Sequence, residues 1–291
     1  MINSISNADL TALDTFGWDR AGTNLVAPSG VSVWPITSSL GGLQTSTGLA
    51  ANHQIGGVIQ TGGYSIDQTT YALGGAGAAS FVLTVKDNIG KLATGSVGVP
   101  GAVNGRLYPL TVTATDTTDG LSSPPASLNV IVGSSGADTI NASAVVGLAG
   151  TARPTFIYGL GGNDVINGAG MSGQLWIDGE TGGDTLTGGS GVNDFLFATV
   201  SDSSSSAMDV ITNFHAAADC IDLTGLGTVL QCTGAITGTT LNARSVGWQQ
   251  SGGNTFVFVN TTTLSAALGS ANLTIELHGT IALASGNILH H

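Results

Sequence analysis

Polar and apolar residues alternate in short runs along most of the chain. Ser80-Phe81-Val82-Leu83-Thr84-Val85, Leu107 to Ala114 and Ser127 to Val132 each place alternate side chains on one face, the period of a half-buried strand. Asp87-Asn88-Ile89-Gly90, Val103-Asn104-Gly105 and Asp116 to Pro125 separate them as turn clusters. Residues 21–55 are polar, Gly-rich and irregular, with one strand expected at Val31-Ser32-Val33-Trp34. A helical period occurs only near the start, where Leu10, Leu13 and Phe16 or Trp18 share a face behind Ser6 or Asn7 as N-cap. From Tyr158 to Phe197 glycine turns take over, separated by the short alternating strands Val165-Ile166-Asn167 and Thr185-Leu186-Thr187. Thr255 to Val259 reads as a later strand.

This pattern predicts an all-β chain with a short N-terminal helical segment (1–25). A β-sandwich (26–132) follows, then a parallel β-roll with a C-terminal sandwich-like cap (133–291). The length of 291 residues agrees with about two domains. Only 8% of residues are charged while 42% are hydrophobic and 45 are Gly, so cores can form and solubility rests on Ser, Thr, Asn and backbone. Net charge is -12 with six scattered Lys and Arg, which argues against nucleic acid as a partner and suits divalent cations. The first residues have neither a basic nor an apolar region of a Sec signal, and no run is long enough for a transmembrane helix. Cys220 and Cys232 fit one disulfide or two thiols equally well.

The glycine turns carry the chemistry. Gly159-Leu160-Gly161-Gly162-Asn163-Asp164 and Gly179-Glu180-Thr181-Gly182-Gly183-Asp184 follow the nonapeptide G-G-x-G-x-D-x-U-x, with U a large apolar residue. Gly133 to Asn141 fits it with Ser in the second place, before an insertion from Ala142 to Thr155. In a roll, two repeats complete one coil, so turns about 18 residues apart stack on one side. Carbonyls and carboxylates of stacked turns then enclose Ca²⁺, which takes about six to eight oxygens. Asp164 and Asp184 are one coil plus two residues apart, which predicts that their turns stack. The expected calcium ligands are Gly159, Gly161, Asn163 and Asp164 below and Gly179, Thr181, Gly183 and Asp184 above. The opposite side pairs the turn near Gly168-Ala169-Gly170 with Gly188 to Asn193 and has Asn193 where Asp is usual. A weaker or empty site is expected there, with Asp194 as the residue that would substitute. Gly168 to Gly173 also matches G-x-G-x-x-G, but no β-α unit surrounds it, so no dinucleotide site is expected.

Several phrases resemble known families. The stretch NDFLF…VSDS, DVITNF and DCIDLTGL, closed by LTIELHGTIALASGNILHH, resembles the C-terminal domain of serralysin-type proteases and the wider RTX (repeats-in-toxin) family. That resemblance covers residues 133–291 and implies calcium-dependent folding, a C-terminal signal read by a type I secretion apparatus, and an extracellular location. The chain departs from the family at Asn213, Cys220 and Asn287-Ile288-Leu289; Asn213 puts a family calcium site at the DVITNF loop in doubt, where the resemblance leaves Asp209 as a ligand. The phrase YPLTVTATDTTDGLSSPPASLNVIVG resembles the last two strands of cadherin-like and Ig-like bacterial modules, where Asp116 and Asp119 serve either a junctional Ca²⁺ or the turn itself. ISNADLTALDTFGWD is similar to the last helix of zincin-type protease domains, yet no H-E-x-x-H accompanies it. A capped amphipathic helix explains that stretch equally well.

Two functions follow. One is a secreted, non-enzymatic calcium-binding protein that acts in adhesion, matrix or surface assembly, with itself or a surface polymer as partner. The other is the non-catalytic C-terminal portion of a serralysin-like metalloprotease. An enzyme in its own right is the weakest reading, since no nucleophile–His–acid set is present and no carboxylates cluster outside the turns.

Overall fold

The computed structural model describes residues 28–35, 48–61, 69–86, 89–117 and 120–290; the expected N-terminal helix lies outside them. Nine strands come first: β1 (Gly30–Pro35), β2 (Gly48–Leu49), β3 (Gln54–Thr61), β4 (Thr69–Gly74), β5 (Phe81–Lys86), β6 (Ile89–Thr94), β7 (Val99–Pro100), β8 (Arg106–Asp116) and β9 (Ala126–Val132). β1, β3, β6 and β5 form one antiparallel sheet. β4, β8 and β9 pair antiparallel in a second.

Two expectations are corrected here. The stretch read as irregular up to residue 55 contains β2 and the start of β3, and the turn expected at Asp87 to Gly90 already enters β6 at Ile89. Glycines hid both strands. A Cβ on Gly57 would stand 2.4 Å from the Trp34 ring, and one on Gly56 would stand 3.0 Å from Phe156. These positions must stay bare so that two aromatic rings can lie on the backbone.

The chain then coils through β10 (Thr139–Asn141), helix α1 (Ala142–Val146), β11 (Thr155–Tyr158), β12 (Val165–Asn167), β13 (Leu175–Asp178), β14 (Thr185–Thr187), β15 (Asn193–Leu196), β16 (Asp209–Ile211) and β17 (Cys220–Asp222). Odd rungs pair in parallel as β11-β13-β15-β17 and even rungs as β10-β12-β14-β16. The insertion after Asn141 holds α1, whose first turn is capped by the Asn141 side chain accepting from Ala144 N–H.

The cap adds β18 (Gln231–Ala235), β19 (Thr240–Leu241), β20 (Ser245–Ser251), β21 (Asn254–Asn260), β22 (Ala266–Ala267), β23 (Leu273–Leu277) and β24 (Ile288–Leu289). It continues both walls of the roll. β23 pairs in parallel with β16, and β24 pairs in parallel with β17.

The two halves share a wall. β9 pairs antiparallel with β8 on one edge and in parallel with β11 on the other, so one eight-stranded sheet runs from β4 to β24. Its middle strands β11, β13 and β15 are buried on both faces. Ile157, Leu175, Ile177 and Phe195 point into the core inside the roll. Phe156, Tyr158, Trp176 and Leu196 point outward into a second core with Ile55, Val58, Phe81 and Leu92 of the four-stranded sheet. Phe156 and Trp176 stack there with ring centroids 4.3 Å apart. This explains why Thr155-Phe156-Ile157-Tyr158 and Leu175-Trp176-Ile177 are almost continuously apolar, while Val165-Ile166-Asn167 and Thr185-Leu186-Thr187 alternate.

Candidate metal centre

The turns before β12 and β14 stack in register. Val165, Ile166 and Asn167 lie opposite Thr185, Leu186 and Thr187, and Gly161 bridges Thr181 in parallel. Gly162 N–H donates to the Thr181 carbonyl and Thr181 N–H to the Leu160 carbonyl, both at 3.0 Å. Gly183 N–H donates to Asn163 Oδ1. The second position of each turn is left-handed, with φ of 82° at Leu160 and 61° at Glu180, where the nonapeptide places Gly.

A ladder of aspartates runs up this side. Asp138 N–H donates to Asp164 Oδ1, Asp164 N–H to Asp184 Oδ1, and Asp184 N–H to Asp209 Oδ1, at 2.8, 2.8 and 2.9 Å. Each bond uses one oxygen of a carboxylate. The Oδ2 atoms of Asp164, Asp184 and Asp209 are buried and lack a hydrogen-bond partner. Asp138 ends the row differently: its Oδ1 accepts from Asn104 N–H, and its Oδ2 accepts from the backbone and hydroxyl of Ser134. Protein donors fill its coordination capacity, whereas the next three keep an oxygen open.

Glycine makes room at those open oxygens. A Cβ on Gly159 would stand 2.3 Å from Asp164 Oδ2 and 2.8 Å from the Gly179 carbonyl oxygen. A Cβ on Gly179 would stand 2.2 Å from Asp184 Oδ2. Bare backbone therefore faces a carboxylate oxygen, beside a carbonyl, in a place closed to water. Burial pushes Asp164 up to about 6 and Asp184 up to about 7, each partly offset by the backbone N–H it accepts. Burial, then the charge of Asp184, pushes Asp209 up to about 9. Among the described residues no Lys or Arg forms an ion pair with these carboxylates, and orphaned hard oxygens of this kind fit a hard divalent cation. Among the described residues no three His, Cys, Asp or Glu side chains converge as a preformed metal cluster, so backbone carbonyls must supply much of any coordination shell.

The opposite side is closed by an amide. Asn193 Oδ1 accepts from Gly189 N–H, while its Nδ2 donates to the carbonyls of Gly189 and Gly191 and to Asp219 Oδ1. The amide nitrogen thus stands among three oxygens. Gly188 continues the closure, donating to Asn213 Oδ1 and accepting from Asn213 Nδ2.

The structure thus gathers Gly159, Gly161, Asn163, Asp164, Gly179, Thr181, Gly183 and Asp184 in two stacked turns and adds Asp209 to their aspartate row. It separates Asn193 from them, and sets Asp194 on the other face of β15, where its Oδ2 accepts from Gln174 Nε2. Asp194 is therefore no substitute ligand for the Asn193 turn. Asp116 is buried at the end of β8, with its backbone closing the turn to Gly120 and Leu121. Cys220 and Cys232 are free thiols. The sequence places Asp138 in a nonapeptide-like turn but assigns no role to Asp178, Glu180, Asp202 or Asp219. The 26-residue spacing Asn193–Asp219 breaks the nonapeptide count, which concealed Asp219.

A parallel roll of aspartate-bearing glycine turns, closed at both ends by further strands, defines a calcium-roll class of domain. The chain belongs to the peptidase M10 serralysin C-terminal family, whose profile matches residues 36–288, and its roll is of the RTX type. No curated protein matches the chain in sequence. Solved structures similar to parts of it include two subunits of one enzyme. The AlgE6R3 subunit of the Azotobacter vinelandii mannuronan C5-epimerase is 27% identical with a TM-score of 0.38, over 54% of this chain and 80% of that one. The AlgE6R2 subunit of the same enzyme is 26% identical with a TM-score of 0.34, over 48% and 82%.

Proposed function

We infer that the chain is a secreted calcium-binding module whose roll folds on Ca²⁺ outside the cell. The observation that carries this reading is the row of buried, unpartnered Oδ2 atoms on Asp164, Asp184 and Asp209. Asp164 and Asp184 would hold the ion with carbonyls of the two turns, and the ion would supply the positive charge that the fold itself withholds. Metal binding then becomes folding free energy, because the stacked turns do not exist in the unfolded chain. Low calcium inside a cell keeps such a chain unfolded and threadable through a type I apparatus; millimolar calcium outside drives it to fold. Family membership supports the extracellular location and calcium as cofactor. Among the described residues no helix is long and apolar enough to cross a membrane.

The module is read as non-enzymatic, serving adhesion, matrix or surface assembly through itself or a surface polymer. The antiparallel pair β8 and β9, and the four-stranded sheet packed beside them, support a cadherin-like sandwich in that role. A second reading, the non-catalytic portion of a serralysin-like protease, is favoured by the family match over residues 36–288. An in-frame H-E-x-x-H upstream in the coding DNA would decide for it. The calcium reading is tested by far-UV circular dichroism of an EDTA-treated sample titrated with Ca²⁺. A saturable gain of β signal is expected. An unchanged spectrum and unchanged thermal midpoint would overturn it.

A further inference from the structure

The four-stranded sheet has a face that the roll does not use. Val33, Val58, Leu83 and Leu92 turn inward and pack into the core against the shared wall. Side chains alternate along a strand, so Trp34, Gly57, Lys91 and Thr84 turn to the opposite face. Strand register sets these four in one row: Trp34 lies opposite Gly57, Gly57 opposite Lys91, and Lys91 opposite Thr84. On the same face Ser32 pairs with Ile59, and Lys86 pairs with Ile89. With neighbouring strands about 4.8 Å apart, the row spans roughly 14 Å.

The row begins at an aromatic platform. A Cβ on Gly57 would stand 2.4 Å from Cε2 and Cζ2 of Trp34 and 2.8 Å from its Nε1, so the indole lies across the glycine. Trp34 is nonetheless partly exposed, and Thr84, Lys86 and Lys91 are exposed beyond it. An indole laid on bare backbone offers a rigid apolar surface with one polar atom at its rim, at little cost in side-chain freedom.

Charge singles out the same face. The chain carries 18 Asp and Glu against six Lys and Arg. None of the 18 falls in β1, β3, β5 or β6; the nearest in sequence, Asp87, belongs to the connection from β5 to β6. Both lysines of the chain, Lys86 and Lys91, stand on this face, and neither enters an ion pair among the described residues. A lysine on an edge strand guards against strand addition, which accounts for Lys86 on β5. It does not account for Lys91, because β6 lies between β3 and β5. A net charge of -12 repels an acidic partner from the rest of the chain and leaves this face to receive one.

We propose that the outer face of the four-stranded sheet binds an acidic polysaccharide, with a sugar ring stacked on Trp34 and carboxylates paired with Lys91 and Lys86. The proposal rests on the reading of the sandwich as a module for a surface polymer, and it names that polymer's chemistry. A pyranose ring has a flat face of C–H groups and a rim of hydroxyls, which matches an indole in line with Lys91 and Thr84. An acidic peptide fits less well. Extended peptides are taken up along a sheet edge or in a groove, whereas this row crosses the strands on the flat of the sheet.

Isothermal titration of the full chain in Ca²⁺ tests this. Hyaluronate and a short oligogalacturonate are the uronate probes, dextran is the neutral polymer, and polyglutamate is the acidic peptide. The parent should bind a uronate probe at least about tenfold more tightly than dextran or polyglutamate, and less tightly as salt rises. The double variant Lys86→Gln/Lys91→Gln should lose about tenfold in uronate affinity. It changes two exposed side chains and should keep the parent's melting midpoint, so the loss cannot be laid to misfolding. Trp34→Ala should weaken binding as much, and Trp34→Phe, which keeps a ring over Gly57, should weaken it less. Unchanged uronate affinity in the lysine variant or in Trp34→Ala overturns the proposal. Polyglutamate bound as tightly as the uronates overturns it in favour of a peptide. Dextran bound as tightly overturns the acidic chemistry and leaves the surface-polymer reading standing. A parent that binds no polymer overturns both.

Discussion

Asp164 N–H donates to Asp184 Oδ1 at 2.8 Å across 20 residues of sequence, while Asp184 Oδ2, on the same carboxylate, is buried and unpartnered. One oxygen aligns the stack and the other is left for a ligand. The two tasks separate in a substitution that keeps shape and removes charge.

Asp184→Asn should therefore act with opposite sign in the two conditions. Without calcium it relieves a buried charge and stabilises the fold by roughly 1–3 kcal/mol. With calcium the ion loses a charged ligand, and affinity falls at least about tenfold, or about 1.4 kcal/mol. Thermal melts in EDTA and in excess Ca²⁺ check both signs; destabilisation in both conditions would contradict the account.

Gly179→Ala should abolish calcium binding at the turn pair, because its Cβ would meet Asp184 Oδ2 at 2.2 Å. Gly136→Ala is the control, since nothing lies within 4 Å of its Cβ. Isothermal titration should show loss of heat in the first variant and a curve like the parent's in the second.

Acid should stabilise the calcium-free chain. Unfolded aspartates release their protons near a pKa of about 4. In the fold Asp164, Asp184 and Asp209 hold theirs to about 6, about 7 and about 9. Across that window the folded state binds more protons than the unfolded state, so stability falls as pH rises. The melting midpoint in EDTA should climb as pH is lowered from 9 to about 5. Calcium competes with those protons, so its affinity should drop over the same range. A midpoint in EDTA that rises with pH would contradict the assignment.

Asn193→Asp should convert the closed side into an ion-dependent one. It replaces the Nδ2 that donates to Gly189, Gly191 and Asp219 with a carboxylate oxygen beside Asp219. In EDTA the variant should lose roughly 1–3 kcal/mol, the cost of unpaired buried groups. With calcium it should regain that stability and bind one more ion, which native mass spectrometry would count.

Much of the roll was legible because its chemistry is local. The Gly and Asp positions of 159–164 and 179–184 lie one coil plus two residues apart, and that spacing predicts the stacking that the strand register shows. The Asn193 turn was legible as depleted, since Asp is missing from the motif there. Its closure was not, because Asp219 reaches it across 26 residues that include β16 and the long loop before it. Glu180 and Asp178 were hidden for another reason: periodicity reports which residues face a core, and gives no sign that a polar pair on the outer face is covered by a second sheet. The shared wall was hidden likewise. Nothing local in Val130 and Ile131 says that they pair with Phe156 and Ile157.

Diffraction from crystals grown with Ca²⁺, recorded for anomalous signal, tests the central claim most directly. A peak is predicted between the turns 159–164 and 179–184, within coordinating distance of Asp164 Oδ2 and Asp184 Oδ2. Well-ordered turns without a peak, at calcium concentrations that saturate the thermal shift, would contradict it.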